Sequence, residues 1–249
     1  MMSGSITTTP GAKMMFMIRR REDATRDEMI AHWYKNHMPG VLEAQEAAKA
    51  AGRRPARKYL VTLFNGEQGE HVARPTYDGM AQLWFDKPLR KPDGPKFTEP
   101  RDTFDQKVEP FVPWATTEHV VIDGADDLPV VPLTLNEPFP TTRSNLFKVS
   151  FLVKAKDGVD WDEFFATWLE AHAPNVKETM HTVGGLRYVV SHSIDPDDEP
   201  YAGMAELYFR DPSGWDRYGE TITPDAFGPL VDTSETIWFG ADTELIGIP

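Results

Sequence analysis

The feature that most constrains the fold of this chain is an internal duplication. Lys13–Val41 aligns without a gap on Lys148–Val176, and nine of the 29 pairs are identical, where unrelated sequences should give roughly two. The identical pairs, each separated by 135 positions, are Lys13/Lys148, Phe16/Phe151, Asp27/Asp162, Glu28/Glu163, Ala31/Ala166, Trp33/Trp168, His37/His172, Pro39/Pro174 and Val41/Val176. Two copies of one structural unit are predicted.

The duplication extends further and sets the domain boundaries. RKYLVTLF at Arg57–Phe64 matches LRYVVSHS at Leu186–Ser193, and YDGMAQLWF matches YAGMAELYF. Between the copies, Asp126–Asn145 contains four prolines, which exclude a regular helix and favour an extended linker. We therefore predict a disordered tail over residues 1–12, a first domain over 13–124, a proline-rich linker over 125–146 and a second domain over 147–249.

Each copy begins with a short apolar segment, MMFMI or VSFLV, typical of a buried strand. A helix follows, because Thr25–Glu28 and Asp160–Glu163 have the form of N-terminal capping boxes. The prolines at 39 and 174 predict that the helices end there, since a proline disfavours helical geometry in the residue before it.

The remaining elements of each copy complete a ferredoxin-like order of strand, helix, strand, strand, helix, strand. A weaker second helix is predicted around Thr103–Val112, and around Ser213–Tyr218 or Thr223–Val231 in the second copy. The last strands are HVVI at His119–Ile122 and TELIGI at Thr243–Ile248. The predicted fold class is α+β, with two ferredoxin-like domains in tandem.

Alternation along the third strand separates two faces. Ala81, Leu83 and Phe85, with Ala205, Leu207 and Phe209, form a uniformly apolar set that is predicted to pack on the helices. The mixed set is predicted to face the other copy or a cavity, and its members are Met80, Gln82, Trp84, Met204, Glu206 and Tyr208.

Together these motifs resemble EthD-like proteins of the dimeric α/β-barrel superfamily. The resemblance rests on a lysine-led strand, D-E-x₄-W-x₃-H-x-P on a capped helix, a tyrosine-bearing strand and a G-M-A strand, in both halves of the chain. It implies that the tandem copies form an intramolecular, pseudo-dimeric barrel with antiparallel sheets. It also implies a hydrophobic small-molecule pocket. It does not imply a particular reaction, because proteins that share a fold carry out different chemistries.

Composition excludes several classes of function. A net charge of −13 disfavours nucleic acid and anionic membrane surfaces as partners. The absence of cysteine excludes disulfides, thiolate nucleophiles and iron–sulfur clusters, and without an H-E-x-x-H motif no metal site is predicted. No segment of about 20 apolar residues is present, so we expect a cytoplasmic protein; a homodimer of the two-domain chain stays open.

The repeated histidines His37 and His172 are the first catalytic candidates. They continue an apolar stripe at helical spacing with Trp33 and Trp168, and a desolvated imidazole stays neutral and able to accept a proton. The alternative is a structural histidine that ties the end of the helix to the sheet, which its retention in both copies favours.

Positions that differ between the copies supply further candidates. His192 shares a strand face with Tyr188, and with Glu206 on the neighbouring strand the three are predicted as base, proton donor and orienting carboxylate. The alternative for His192 is a solvated edge-strand residue. Aromatic and methionine side chains are predicted to bind the substrate: Trp33, Tyr34, Trp84, Trp168, Tyr208, Met80 and Met204.

These features lead to one preferred function and two alternatives. The preferred hypothesis is an enzyme without a cofactor that transfers a proton on an aromatic or lactone-like substrate, as a lyase, isomerase or cyclase. The first alternative is a non-catalytic binding or accessory protein of xenobiotic degradation. The second, which the resemblance implies, is a haem-binding oxidoreductase with His37 or His172 as the iron ligand.

Overall fold

The computed structural model describes residues 5–65, 76–91, 99–111, 113–124 and 142–249. The chain divides into two compact units. The first-repeat unit comprises the described part of Gly11–Ala115 with residues 142–145 and Ala241–Pro249, and the second-repeat unit comprises Leu146–Gly240 with residues 5–10 and 116–124. The predicted linker lies outside the described residues over positions 125–141.

The first-repeat unit is a sheet of antiparallel strands covered by one long helix. Its elements are β2 (Ala12–Ile18), α1 (Arg26–His32), a π-helical turn (Trp33–His37), α2 (Met38–Ala50), β3 (Lys58–Leu63), β4 (Gly79–Phe85), β6 (Thr142–Ser144) and β11 (Thr243–Ile248). Strand β4 pairs with both β2 and β3, β3 pairs with β11, and β11 pairs with β6.

The second-repeat unit has the same plan. Its elements are β1 (Thr7–Thr8), β5 (Trp114–Ile122, counted here from Thr116), β7 (Phe147–Val153), α3 (Trp161–Thr167), a π-helical turn (Trp168–His172), α4 (Ala173–Val183), β8 (Arg187–Ser193), β9 (Gly203–Phe209), α5 (Pro212–Thr221), a 3₁₀ turn (Gly228–Leu230) and β10 (Ile237–Ala241). Strand β9 pairs with both β7 and β8, β8 with β5, β5 with β1, and β7 with β10. The predicted α+β class with antiparallel sheets is confirmed.

The last strand of each repeat is found in the unit of the other repeat. Strand β11 ends the second repeat in sequence yet pairs with β3 of the first repeat, and β5 ends the first repeat yet pairs with β8 of the second. The compact units therefore differ from the predicted domains 13–124 and 147–249 at their C-terminal strands. A sequence pattern identifies a strand but not its partner, because pairing depends on contacts distant in the chain.

The helices begin as predicted but do not end as predicted. Thr25 and Glu28 form a reciprocal capping box, and Asp160 caps its helix by accepting from the Glu163 amide. Helical structure then continues past the prolines at 39 and 174, so the predicted ends are wrong. In the π-helical turns, the amides of Met38 and Ala173 donate to carbonyls five residues back.

That change of register explains how the prolines are tolerated. Each proline stands at the start of the following α-helical segment, where the missing N–H and fixed φ of proline disturb the helix least. Such π-helical turns are common at functional sites.

The two strand faces are distributed as the alternation predicts. In the first-repeat unit the core joins Ala81 and Leu83 to Trp33 of the helix, and in the second-repeat unit it joins Ala205 and Leu207 to Trp168. The prediction that the uniformly apolar face packs on the helices is confirmed.

Two local expectations are wrong. Residues 5–12 of the predicted disordered tail are ordered, because Thr7–Thr8 pairs with His119 and Val120 of β5. Among the described residues, the second helix is present only in the second repeat, as α5. In the first repeat, residues 103–111 form turns and a bridge between Val108 and Arg20. Among the described residues, the structure contains no helix long and apolar enough to cross a membrane.

Candidate functional site

A cavity of about 450 Å³ lies between the helix and the sheet of the second-repeat unit. The helix contributes Trp168 and His172, the strands contribute Tyr188 and Leu207, and the loop after α5 contributes Asp225. Its other walls are mainly apolar, among them Phe151, Val176, Ala205, Trp215 and Phe227. This volume and lining are those of a small-molecule site with a few polar groups.

His172 and Asp225 form a hydrogen-bonded pair at the edge of this cavity. The distance from Nδ1 of His172 to Oδ2 of Asp225 is 2.7 Å. A carboxylate only accepts, so Nδ1 carries the proton and Nε2 of the neutral imidazole is the basic nitrogen. The ring also packs on Phe227, with centroids 4.9 Å apart.

Asp225 is held in its ionised form by its neighbours. Burial by itself would raise the pKa of this carboxyl, but hydrogen bonds from Asn175, His172 and the amide of Phe227 outweigh that effect and lower the pKa. Asp225 can therefore orient His172 and stabilise a positive charge on it.

Tyr188 adds a buried hydroxyl to the same cavity. Burial raises the pKa of Tyr188 well above its ordinary value, so the phenol stays protonated. The indole N–H of Trp168 lies near the hydroxyl and lowers this pKa by less than burial raises it. Neither Nε1 of Trp168 nor the hydroxyl oxygen of Tyr188 has a hydrogen-bond partner among the described residues. Both groups can donate to a bound molecule.

The first-repeat unit has an equivalent cavity of about 400 Å³. Trp33, His37, Tyr59 and Asp102 line it, and Nδ1 of His37 lies 2.7 Å from Oδ2 of Asp102. Burial likewise raises the pKa of Tyr59. The repeated histidine thus borders a cavity in both halves of the chain, as a partner of an aspartate.

The two aspartates are functional candidates that sequence reasoning missed. They lie in loops, and the spacing from histidine to aspartate is 65 positions in one copy and 53 in the other. A weak signal was present, since Asp102-Thr-Phe104 and Asp225-Ala-Phe227 share the pattern D-x-F.

The predicted trio of Tyr188, His192 and Glu206 does not assemble. Tyr188 is paired with Leu207 and Val189 with Glu206, so Glu206 projects from the face opposite Tyr188. Glu206 instead forms a buried ion pair with Lys148, with 2.6 Å between Oε1 and Nζ. The sequence predicted that Tyr188 and Glu206 are on neighbouring strands. It did not determine how the two strands are aligned, so it could not show that the two side chains point to opposite faces of the sheet.

His192 is buried, contrary to the solvated alternative. Its ring stacks on Phe165 at 4.4 Å and lies 5.1 Å from Trp168 and 4.8 Å from His119. Burial, with a smaller contribution from His119, lowers the pKa of His192 to about 3. It does not line the 450 Å³ cavity.

The predicted substrate-binding residues divide into two groups. Trp33 and Trp168 line the two cavities, whereas Tyr34 packs at the margin of the first-repeat core. The cavities lie on the apolar strand face, so the other four are not among their lining residues: Met80, Trp84, Met204 and Tyr208. Of the two predicted surroundings of the mixed face, the other copy or a cavity, these two cavities are excluded.

The fold and these side chains define an α+β protein with antiparallel sheets and a His–Asp pair beside a cavity in each repeat. Within this class, residues 156–226 match the family model of the EthD domain, which confirms the resemblance to EthD proteins for this segment of the second repeat. The matched segment includes both His172 and Asp225. A search of curated proteins gave no match.

Several solved structures are similar at low identity. A mutant chlorite dismutase from Candidatus Nitrospira defluvii has 9% identity and a TM-score of 0.46, with 92% of this chain and 90% of that chain covered. A heme-binding protein from Thermus thermophilus has 12% identity and a TM-score of 0.48, with 96% and 93% covered. The EthD match is therefore the comparison that bears on the site.

Proposed function

We propose that the cavity beside His172 is the active site of an enzyme that transfers a proton on a hydrophobic small molecule without a cofactor, as a lyase, isomerase or cyclase. The observation that carries this proposal is the 2.7 Å His172–Asp225 pair at a largely apolar cavity. An aromatic or lactone-like compound with an acidic C–H next to a carbonyl fits such a site.

The residues suit general acid–base chemistry. Nε2 of His172 accepts the proton from the substrate carbon, and the resulting imidazolium is stabilised by the Asp225 carboxylate. The phenol of Tyr188 stays protonated and donates a hydrogen bond to the enolate oxygen that develops. His172 then returns the proton to another position of the same molecule, so no oxidant or second substrate is needed.

We also propose that the two repeats make the pseudo-dimeric barrel implied by the resemblance. The exchange of C-terminal strands supports it, because each sheet needs a strand from the other repeat. Fusion of two copies of a homodimeric ancestor would produce this arrangement.

Haem binding is the second candidate for this cavity. His172 would be the residue to hold haem iron, through Nε2, because the Asp225 carboxylate fixes the tautomer that leaves Nε2 unprotonated. The described residues that line the cavity include no lysine or arginine to pair with haem propionates. Titration with hemin tests this candidate: a Soret shift that is lost in His172→Ala would replace the cofactor-free proposal.

The proposed proton transfer can be tested before the natural substrate is known. Aromatic ketones and lactones with exchangeable C–H groups are incubated with the protein in D₂O, and deuterium incorporation is followed by NMR. We expect catalysed exchange for compounds that bind, and a loss of about 10²- to 10⁴-fold in His172→Ala with affinity retained.

The matched control is His181→Ala, because His181 is an exposed histidine on α4, the helix that directly follows the π-helical turn of His172. It should exchange at the wild-type rate. Compounds that bind tightly yet exchange equally in wild-type protein and in His172→Ala would overturn the enzymatic proposal in favour of a binding or accessory protein.

A further inference from the structure

The His–Asp pair of the first-repeat unit has a third polar neighbour. Oδ1 of Asp105 lies 4.0 Å from Nδ1 of His37, and one ligand atom each of His37, Asp102 and Asp105 falls within 4.8 Å of the others. The cluster stands at the edge of the 400 Å³ cavity, which His37 and Asp102 line.

Asp105 has an unusual hydrogen-bond state. Its side chain is 0% exposed. Oδ2 accepts from the amide and Nε of Arg101, but Oδ1 has no hydrogen-bond partner among the described residues. A buried carboxylate oxygen without a donor is costly, and this one faces an imidazole and a second carboxylate. A cation is the partner that such an oxygen lacks.

We propose that His37, Asp102 and Asp105 form a binding site for a divalent transition-metal ion, with Zn²⁺ or Mn²⁺ as the expected occupants. One imidazole and two carboxylates are ligands that both ions accept. For Nδ1 of His37 to bind the ion, the ion must replace the proton that Nδ1 donates to Asp102, and the neutral imidazole then carries its proton on Nε2 instead. Tetrahedral zinc at its usual bond lengths places ligand atoms about 3.3 Å apart, so small side-chain rotations would close this cluster around an ion.

The second repeat provides an internal comparison. Asp102-Thr-Phe-Asp105 corresponds to Asp225-Ala-Phe-Gly228, so glycine replaces the third ligand. The loops correspond in structure as well, because Phe104 packs on His37 at 4.6 Å and Phe227 on His172 at 4.9 Å. We therefore expect one metal ion per chain, bound in the first-repeat unit and not at the His172 site of the second-repeat unit.

The site does not depend on the proposed proton transfer, since metal binding is measured without a substrate. Full-length protein freed of metal with EDTA is titrated with ZnCl₂ by calorimetry and with MnCl₂ by electron paramagnetic resonance. We expect about one ion per chain, and at least a tenfold loss of affinity in Asp105→Asn, which removes a charged ligand at constant side-chain shape.

The matched control is Asp225→Asn, which changes the equivalent pair in the second repeat and should leave the stoichiometry and affinity unchanged. The melting temperature of each metal-free variant shows whether it is folded. No binding by the wild-type protein, or equal losses in Asp105→Asn and Asp225→Asn, would overturn the proposal.

If Asp105→Asn is unstable, the third ligand can instead be added to the second repeat. A Cβ atom at Gly228 would meet nothing within 4 Å, so Gly228→Asp should be accommodated. Because His172 and Asp225 already stand 2.7 Å apart, this variant should bind two ions per chain. Retention of one ion per chain would contradict the assignment of Asp105 as the distinguishing ligand.

Discussion

At the scale of single residues, identical side chains have different roles according to what surrounds them. His172 and His37 each hold an aspartate beside a cavity, whereas His192 is enclosed by aromatic rings and its Nε2 has no hydrogen-bond partner among the described residues. Burial disfavours the charged form of a histidine. His192 is therefore a neutral core residue, and its titration affects stability rather than catalysis.

We expect His192 to make the protein sensitive to acid. Its pKa is about 3 in the folded state and about 6.5 when unfolded, so only the unfolded chain takes up this proton between those values. The free energy of unfolding should fall by up to about 1.4 kcal/mol per pH unit as the pH drops from about 6.5 toward 3.

The test compares the wild-type protein with His192→Leu, because leucine stands at the equivalent position 63 of the first repeat. Urea unfolding from pH 7 to pH 4 should show a shallower pH dependence in the variant. Equal slopes for the two proteins would mean that His192 is protonated, or solvated, in the folded state.

At the scale of elements, the π-helical turn and the third strand together place the site. Each turn begins at a tryptophan and ends at the histidine of the pair. The tryptophan rings lie directly over glycines of the third strand: a Cβ at Gly79 would come within 3.0 Å of Trp33, and one at Gly203 within 2.8 Å of Trp168. The glycine of the repeated G-M-A motif therefore permits the helix to approach the sheet.

Gly203→Ala should disturb this contact and the cavity beside it. The new methyl group would also meet the carbonyl of Ser191 at 2.5 Å, which is backbone and cannot rotate away. We expect a loss of about 1–3 kcal/mol in the free energy of unfolding, typical of overpacking, measured by urea denaturation.

Gly219→Ala is the matched control, because a Cβ at this helical position meets nothing within 4 Å and alanine favours a helix over glycine. Its stability should be equal to that of the wild-type protein or slightly higher. A Gly203→Ala protein as stable as this control would show that the helix does not need the close approach.

At the scale of the whole molecule, neither repeat contains all the strands of its own sheet. Leu245 of β11 belongs to the second repeat in sequence, yet its backbone pairs with Val61 and its side chain is buried in the first-repeat core. The two repeats are therefore expected to depend on each other for folding.

Leu245→Ala should weaken the first-repeat unit, with a loss of about 2–5 kcal/mol for a buried leucine. Hydrogen exchange of the β3 amides (Lys58–Leu63) should accelerate, because β11 is their partner strand. In Leu207→Ala, a buried control in the second-repeat core, the first accelerated amides should instead be those of β8 and β9. Unchanged exchange in β3 of Leu245→Ala would contradict the exchanged-strand arrangement.

The amino-acid sequence by itself determined the duplication, the capped starts of the helices, the two faces of the third strand and the position of the repeated histidine on the helical stripe. These features are local or periodic, so residue spacing is enough to identify them. The tertiary structure alone decided the strand partners, the face on which Glu206 lies, the passage of the helices beyond Pro39 and Pro174, and the pairing of each histidine with an aspartate. Those depend on register and on loops that return from 53 or 65 positions away, where sequence spacing carries no information about distance in space.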